Sequence, residues 1–167
     1  MALNAAGMIT LVSGILLGSA TLLAPSYGAI AISRKRRALK QQMAEEDLLS
    51  DLFRLEENPD RKLFIRNSES NTRQKLISRG LLEIKNNSLA LTALGRDKAK
   101  QLIRSHRLWE SYLVSEAGVE AGHVHTSAEK LEHYTASTMQ KRLAENLDFP
   151  SNDPHGKDIP SSDTDED

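Results

Sequence analysis

The sequence contains no cysteine among its 167 residues, and aromatic side chains make up only 4% of it. Without thiols the chain cannot form disulfides, thiolate-bound metal clusters or a cysteine nucleophile. A metal site, if there is one, must therefore be built from imidazole and carboxylate groups. The five histidines and the 23 acidic residues are consequently the side chains to follow along the sequence.

Charged side chains are missing from one whole segment. Residues 1–33 contain none, residues 34–110 contain 18 basic and 11 acidic residues, and residues 111–167 contain 4 basic and 12 acidic residues. The net charge of −1 for the whole chain thus conceals a neutral, a basic and an acidic segment. Such changes of composition indicate several regions with different roles, rather than one uniform globule.

The uncharged segment contains a mostly apolar run at residues 7–32, and roughly 20 such residues can cross a bilayer as a helix. The basic cluster at residues 34–37 follows the run, so the positive-inside rule places the rest of the chain in the cytoplasm. We expect a transmembrane anchor over residues 1–33, a basic juxtamembrane linker over 34–43, and a single-pass protein of the inner membrane. The alternative is a cleaved signal peptide with its cleavage site at residues 29–31, although no basic residue precedes the apolar run.

Residues 44–91 have the pattern of two helices and a hairpin. The spacing of leucines predicts an amphipathic helix over residues 44–57, and a second helix is predicted over residues 70–79. Two short strands follow, joined at residues 86–87, because asparagine tolerates the positive φ of a tight turn. Thr92 then caps a long helix. Helix, helix, hairpin and long helix is the order of a winged helix, so we expect an abridged winged-helix unit here.

The second of these helices carries basic and amide side chains that could face DNA. Phosphate contacts need basic groups, and base contacts need amide or guanidinium groups. The alternative is an ordinary solvated helix face. A helix-turn-helix also needs a further helix and a turn, and only residues 60–69 are left for both. The candidate DNA-facing residues are Arg73, Gln74, Lys75 and Arg79.

Histidines and carboxylates recur at helical spacing in the second half of the chain. On the predicted long helix, one histidine precedes a glutamate by four residues, which places both side chains on one face. After Gly118, a second helix predicted over residues 123–146 repeats this spacing. Imidazole and carboxylate together suit manganese, iron(II), zinc or cobalt, although an exposed helix rich in charges is the alternative. The candidate ligands are His106, Glu110, His125, Glu129, Glu132 and His133.

Three ordered segments resemble the diphtheria-toxin-repressor family of iron- and manganese-dependent regulators. They are LTALGRDKAKQLIRSHRLWESYL from residue 91, HTSAEKLEHYTASTMQKRLAENL from residue 125, and DPHGKDIP from residue 153. The resemblance implies a winged helix followed by a helical domain that binds metal and dimerises, with Mn²⁺ or Fe²⁺ as the expected metal and Zn²⁺ as a further option. It implies one metal site at His106, Glu110 and His125, and another at Glu129, Glu132 and His133.

The same resemblance implies a further ligand from the first helix, Asp47. The manganese branch of the family has a second acidic ligand on that helix, where this chain has Ser50. The N-terminal stretch LLAPSYGAIAISRKRR is similar to the end of the last membrane helix of a manganese, zinc or iron ABC-transporter permease. Some permeases of this type carry a repressor-like cytoplasmic tail, and the order of segments here fits that arrangement.

We therefore expect a mainly α-helical chain: a transmembrane helix, a small winged-helix unit over 44–91, and a metal-binding and dimerisation domain over 92–150. Residues 151–167 hold the DPHGKDIP motif and an acidic end, which we expect to be disordered. The leading hypothesis is a membrane-tethered metal-sensing module, present as a homodimer, that regulates or forms the cytoplasmic tail of an ABC-transporter permease. The alternatives are a metal-dependent DNA-binding repressor and, least favoured, a metal-dependent hydrolase. We expect no enzymatic activity.

Overall fold

The structure, a computed structural model, describes residues 4–25, 27–60 and 70–161. The chain divides into two compact units, Met1–Gln42 and Met43–Asp167, which are described separately. Six α-helices and one two-stranded antiparallel sheet lie in the described residues. They are α1 (Ala5–Leu23), α2 (Ala29–Glu57), α3 (Ser70–Ser78), β1 (Leu82–Lys85), β2 (Ser88–Leu91), α4 (Ala93–Ser115), α5 (His125–Glu132) and α6 (Ser137–Asn146).

The apolar run at residues 7–32 is divided between two helices. Helix α1 ends at Leu23, a turn follows at Pro25, and α2 begins at Ala29. Neither these helices nor any other in the described residues is both long and apolar enough to cross a membrane. The predicted transmembrane anchor over 1–33 is therefore wrong, and so is the single-pass placement in the inner membrane that depended on it.

Helix α2 begins earlier than the sequence pattern predicted. Its predicted end at Glu57 is confirmed, since Asn58 and Pro59 follow outside the helix. Residues 34–43, expected to form a linker, lie within α2 because this basic stretch contains good helix formers and no glycine or proline. The short region expected at residues 60–69 falls almost entirely outside the described residues, which resume at Ser70.

Helix α3 and the hairpin have the predicted local chemistry. Gly80 adopts a φ of +68°, and the Leu81 N–H donates to the Leu76 carbonyl, as in a Schellman helix end. Strands β1 and β2 pair antiparallel with Lys85 opposite Ser88. The two turn residues have positive φ, 51° at Asn86 and 62° at Asn87, which is the geometry of a type I′ turn. The predicted hairpin is confirmed.

The first turn of α4 packs against Gly80 and Leu81, which follow α3. Thr92 caps the helix, because its hydroxyl oxygen accepts a hydrogen bond from the Gly95 N–H at 3.0 Å. The same hydroxyl donates to the Gly80 carbonyl at 2.7 Å. A Cβ atom at Gly95 would lie 1.9 Å from the Leu81 carbonyl oxygen. Only glycine fits this crossing of helix and backbone.

The single helix predicted over residues 123–146 is two helices. Helix α5 ends at Glu132, residues 133–136 form a turn, and α6 begins at Ser137. His125 begins α5, Glu129 lies within it, and His133 follows directly after its last residue. Threonine and serine at residues 135 and 137 favour a break, since their hydroxyls compete for backbone hydrogen bonds. The Thr135 hydroxyl does donate to the Leu131 carbonyl, at 2.7 Å.

Two clusters of buried apolar side chains stabilise the second unit. The first joins the leucine face of α2 to α3, the hairpin and the first half of α4. The second joins the middle of α4 to α6 and to Ile159. The Trp109 indole N–H donates to the Thr135 hydroxyl at 2.7 Å, which fixes the α5–α6 turn against α4. Helix α4 contributes to both clusters, so it is the element that positions the two halves of this unit.

The segment 151–161 lies along α4. Asp153 begins a tight loop, accepting hydrogen bonds from the backbone N–H groups of His155 and Lys157 at 2.8 and 2.9 Å. Arg104 of α4 donates to the Pro160 carbonyl at 2.7 Å, and Arg107 donates to the Asp158 carbonyl. The acidic end expected to be disordered falls largely outside the described residues, which stop at residue 161.

Replacing Gly95 with alanine should destabilise the fold, because the new methyl group overlaps the Leu81 carbonyl oxygen. Such overpacking costs about 1–3 kcal/mol of the free energy of unfolding. Urea denaturation followed by far-UV circular dichroism measures this loss. Gly122→Ala is the matched control, since an added Cβ there meets no described atom within 4 Å. Equal stability of the two variants would contradict the tight helix crossing.

Candidate metal centre

Helix α4 buries a histidine and a carboxylate side by side. His106 and Glu110 are four residues apart, so they share one face of the helix. Both are 3% exposed, although polar side chains of these types are usually found at the surface. Their burial requires compensating partners, because an isolated buried charge is strongly unfavourable.

The first partner is His125, the first residue of α5. Its Nδ1 lies 2.9 Å from Glu110 Oε1 and 2.9 Å from His106 Nε2. His106 Nε2 is in turn 3.1 Å from Glu110 Oε1. One donor atom from each of the three residues thus falls within 4.8 Å of the others, which is close enough for a single ion. We call His106, Glu110 and His125 the first group.

A second group forms where the end of α5 meets α2. It consists of Asp47, Glu132 and His133, whose donor atoms also lie within 4.8 Å of one another. Asp47 Oδ1 is 3.3 Å from His133 Nε2. The other ring nitrogen, Nδ1, is 2.8 Å from Glu46 Oε2. His133 is therefore held between two adjacent carboxylates of α2.

The two groups touch each other. His106 Nδ1 makes a short contact with Glu132 Oε2, while the opposite ring nitrogen faces Glu110 and His125. Both side chains are buried. One imidazole and one carboxylate thus join the two groups into a continuous set of six candidate ligands from α2, α4 and α5.

The charges in this set change one another's protonation. Hydrogen bonds that the His133 ring donates to Asp47 and then Glu46 raise its pKa to about 10, although burial acts in the opposite direction. Burial disfavours protonation of His106, but hydrogen bonds with Glu110 and Glu132 outweigh it and raise its pKa. Burial would raise the pKa of Glu110, yet His106 and His125 lower it well below its usual range. Protons on the imidazoles therefore neutralise the carboxylates here.

The chemistry of these residues fits a divalent transition metal. Each group offers imidazole nitrogen and carboxylate oxygen without sulfur, a set suited to manganese, iron(II) and zinc. Ser50, one turn after Asp47 on α2, is 1% exposed, and its hydroxyl oxygen has no hydrogen-bond partner among the described residues. A metal-bound water could supply the missing partner. A metal would also neutralise the carboxylates without protonated histidines.

Six of the seven predicted ligands lie in the two groups: the first group holds the three residues expected together, whereas the second contains Asp47 and not Glu129. Glu129 is exposed on α5 and lies in neither group of donor atoms found among the described residues. Asp47, which was implied only by resemblance, instead joins Glu132 and His133. The sequence analysis missed Glu46. The sequence feature that could have indicated Glu46 is its position next to Asp47 on an amphipathic helix, but an acidic neighbour alone is weak evidence for a ligand.

The first group opens to an irregular depression of about 370 Å³ beside the 153–160 loop. Asp153, His155 and Lys157 line its edge together with Arg54. His155 is exposed. The hydrogen bonds of the loop to Asp153 hold its polar residues beside the exposed His125.

Two of the four candidate DNA-facing residues are engaged within the chain. Glu45 Oε1, on α2, lies 2.6 Å from Lys75 Nζ, and Glu45 Oε2 lies 2.6 Å from Arg79 Nη1. Arg73 and Gln74 instead line a shallow groove of about 470 Å³ between α3 and the hairpin. The structure thus separates the four residues into an intramolecular ion-pair cluster and a groove-lining pair.

Comparison with known proteins gives relatives of two kinds. Residues 92–161 match the family model described as the iron dependent repressor, metal binding and dimerisation domain. A probable metal transport system membrane protein of Chlamydia trachomatis is 39% identical over 85 residues, 51% of this chain and 19% of that protein. A protein of the same name from Chlamydia pneumoniae is 27% identical over 169 residues, 92% of this chain and 38% of the relative.

The iron-dependent repressor IdeR of Mycobacterium leprae is 36% identical over 92 residues, 54% of this chain and 40% of IdeR. The chain thus spans less than half the length of each of these relatives. Among solved structures, a manganese-dependent transcriptional repressor in complex with manganese has a TM-score of 0.65 and 32% identity, covering 71% of this chain and 59% of the repressor.

The names of these relatives describe transport-system proteins and repressors rather than enzymes. The family match begins at Thr92, the cap of α4, and ends at residue 161, so it contains α4, α5, α6 and the loop that lies on α4. The resemblance inferred from the sequence is confirmed. Residues 92–161 are thus similar to the metal-binding and dimerisation domain of the iron-dependent repressors.

Proposed function

We propose that this chain is a divalent-metal sensor that binds Mn²⁺ or Fe²⁺ at the two ligand groups and responds by fixing the arrangement of α2, α4 and α5. The observation that carries the proposal is the convergence of imidazole and carboxylate donors from three helices into two adjacent groups, with His106, Glu110 and Glu132 buried. Zn²⁺ is a competing ion, because affinity alone does not separate these metals.

The ion would act by replacing protons. Buried carboxylates of this set are balanced by histidines, and metal binding requires those imidazoles to be unprotonated. Because the ligands come from helices distant in sequence, the binding free energy contributes to the stability of their packing. Glu129 remains a proposed ligand of the second group on resemblance alone, since its exposed side chain would first have to turn inward.

We propose further that the sensor acts as a homodimer within a metal-uptake system. The description of the matched domain as one of dimerisation supports the first part. The similarity to two Chlamydia proteins named for metal transport supports the second, since one alignment extends over 92% of this chain. The output would be regulation of ABC-transporter subunits by metal occupancy.

The alternative function is metal-dependent transcriptional repression. The α3–hairpin–α4 order of a winged helix and the structural similarity to a manganese-dependent transcriptional repressor favour it. The ion pairs of Lys75 and Arg79 with Glu45 count against it, because these cations are already neutralised within the chain. Phosphate binding would have to displace a buried carboxylate that has few other partners.

Mn²⁺ should stabilise the protein, and Glu132→Gln should reduce the effect by half or more. At about 100 times the dissociation constant a bound ligand adds about 2.7 kcal/mol, or roughly 5–10 °C of melting temperature for a chain of this size. Glu132 faces both groups, so loss of its charge should weaken Mn²⁺ binding by about tenfold to a hundredfold. Calorimetric melting and isothermal titration measure the two effects.

Glu145→Gln is the matched control, because Glu145 is an exposed glutamate of α6 outside both groups. It should retain the full response to Mn²⁺. The proposal is wrong if the unaltered chain gains no stability from Mn²⁺, Fe²⁺ or Zn²⁺, or if both variants respond equally.

The pH should affect the metal-free and metal-bound forms in opposite directions. The pKa of His133 is raised from 6.5 to about 10, so its pairing with Asp47 and Glu46 stabilises the metal-free protein below pH 6.5 and this contribution is lost toward pH 10. Metal must displace the same proton, so Mn²⁺ affinity should rise by up to about tenfold per pH unit over that window. Urea unfolding and Mn²⁺ titration at about pH 6.5 and about pH 8.5 test both trends.

His123→Ala provides the control, since His123 is an exposed histidine outside the two groups. It should leave both pH trends unchanged, whereas His133→Ala should flatten them. Metal affinity that is independent of pH in the unaltered chain would contradict displacement of a proton from His133.

DNA binding separates the proposed function from the alternative. If the chain is not a repressor, we expect only weak, salt-sensitive binding, with dissociation constants of roughly 10⁻⁴–10⁻⁶ M, and no strengthening by Mn²⁺. Fluorescence anisotropy with pooled random duplexes, with and without Mn²⁺, measures this. Metal-strengthened binding that is lost in Arg73→Ala, a residue of the α3 groove, would instead establish the repressor.

A further inference from the structure

Glu45 is the first of three consecutive acidic residues on α2, and it faces away from the metal groups. Its carboxylate is buried, with a side chain 8% exposed. Oε2 accepts a hydrogen bond from Arg79 at 2.6 Å, and Oε1 forms an ion pair with Lys75 Nζ at 2.6 Å. Both cations belong to α3 or the turn that ends it. A buried carboxylate with two cationic partners is a strong and specific link between α2 and α3.

The next two acidic residues have a different partner. Glu46 and Asp47 both contact the His133 ring, one at each nitrogen. Successive residues of an α-helix point about 100° apart, which is why adjacent side chains of α2 reach α3 on one side and α5 on the other. One turn of α2 therefore contacts both the candidate recognition helix and the second metal group.

We propose that Glu45 is a positioning residue that transmits metal occupancy to α3. This inference rests on the proposed function, because it requires an ion at the second group. For His133 to bind a metal, a ring nitrogen must give up its contact with Glu46 or Asp47, and that carboxylate must turn toward the ion. Backbone adjustment in this turn of α2 moves Glu45 as well, since a hydrogen-bonded helical turn shifts as one piece.

Helix α3 follows because its own apolar anchoring is small. In this nine-residue helix only Thr72 and Leu76 are buried, and the ion pairs of Lys75 and of Arg79, which follows the helix, add a direct link to α2. A shift of Glu45 therefore changes the stability of the packing of α3 against α2. This effect does not depend on which partner binds the exposed surface of α3. Glu45 does this without being a ligand itself.

Hydrogen–deuterium exchange of the full chain tests this link. Metal binding should slow amide exchange in peptides covering residues 70–80 by about fivefold or more, the lower end of usual coupling between sites. Glu45→Gln should remove this effect of Mn²⁺ on α3 while keeping Mn²⁺ affinity within about threefold, because the glutamine is not near the ion. Lys75→Gln combined with Arg79→Gln should likewise remove the effect of Mn²⁺ on exchange in α3, because it removes both cationic partners of Glu45.

Glu56→Gln is the matched control. Glu56 lies on the same helix and accepts two hydrogen bonds from Arg96, at 2.8 and 2.9 Å, but this pair is exposed and does not involve α3. It should keep the metal-dependent protection of α3. A merely structural role for Glu45 would lower the melting temperature in both the presence and the absence of Mn²⁺ and leave the exchange difference intact.

The outcomes separate this inference from the proposed function. Mn²⁺ binding with unchanged exchange in residues 70–80, or with equal protection in Glu45→Gln and the unaltered chain, overturns the role of Glu45 and leaves the sensor standing. Failure of the unaltered chain to bind Mn²⁺ at all overturns both. Loss of α3 protection in Glu45→Gln alone, with binding retained, supports the link.

Discussion

Burial of carboxylates beside cations is the constraint on which the second unit depends. Glu110 and Glu132 are nearly inaccessible to water, and each lies against His106. Glu45 is equally buried against the cations of α3. Unpaired, each of these groups would cost several kcal/mol. Apolar contacts could bring these helices together in more than one register, but the charge pairs are satisfied in very few, so they determine how α2, α4 and α5 meet.

The charge of these buried carboxylates can be balanced either by a bound metal ion or by protons on the neighbouring histidines. The neighbouring carboxylates raise the pKa values of His106 and His133, which favours protonated imidazoles that balance the carboxylate charge. A divalent ion supplies two charges at one point and binds imidazole through its lone pair, so it competes directly with those protons. Sensing thus requires no separate device, because the same side chains that stabilise the helix packing are the ligands.

Local features of the fold were predictable from the sequence, whereas partnerships between distant residues were not. The hairpin at residues 86–87 and the Thr92 cap depend on turn and capping chemistry within a few residues. The helix break at 133–136 was not predicted, because the regular spacing of histidines and glutamates before it suggested one continuous helix. The membrane anchor was wrong because overall apolar content says nothing of where a helix is interrupted. Glu46 could not be found without knowing that α2 packs beside His133.

Helix α4 shows why the metal groups and the 153–160 loop form one structure. Its face toward α5 carries His106 and Glu110, and the adjacent position, Arg107, donates to Glu57 at 2.6 and 3.0 Å and to the Asp158 carbonyl. Neighbouring residues of one helical turn therefore hold the ligands, the end of α2 and the loop. Because a helix is stiff over such a distance, a change at the ligands cannot leave those contacts unaffected. The loop motif is thus part of the same packing that positions the metal groups.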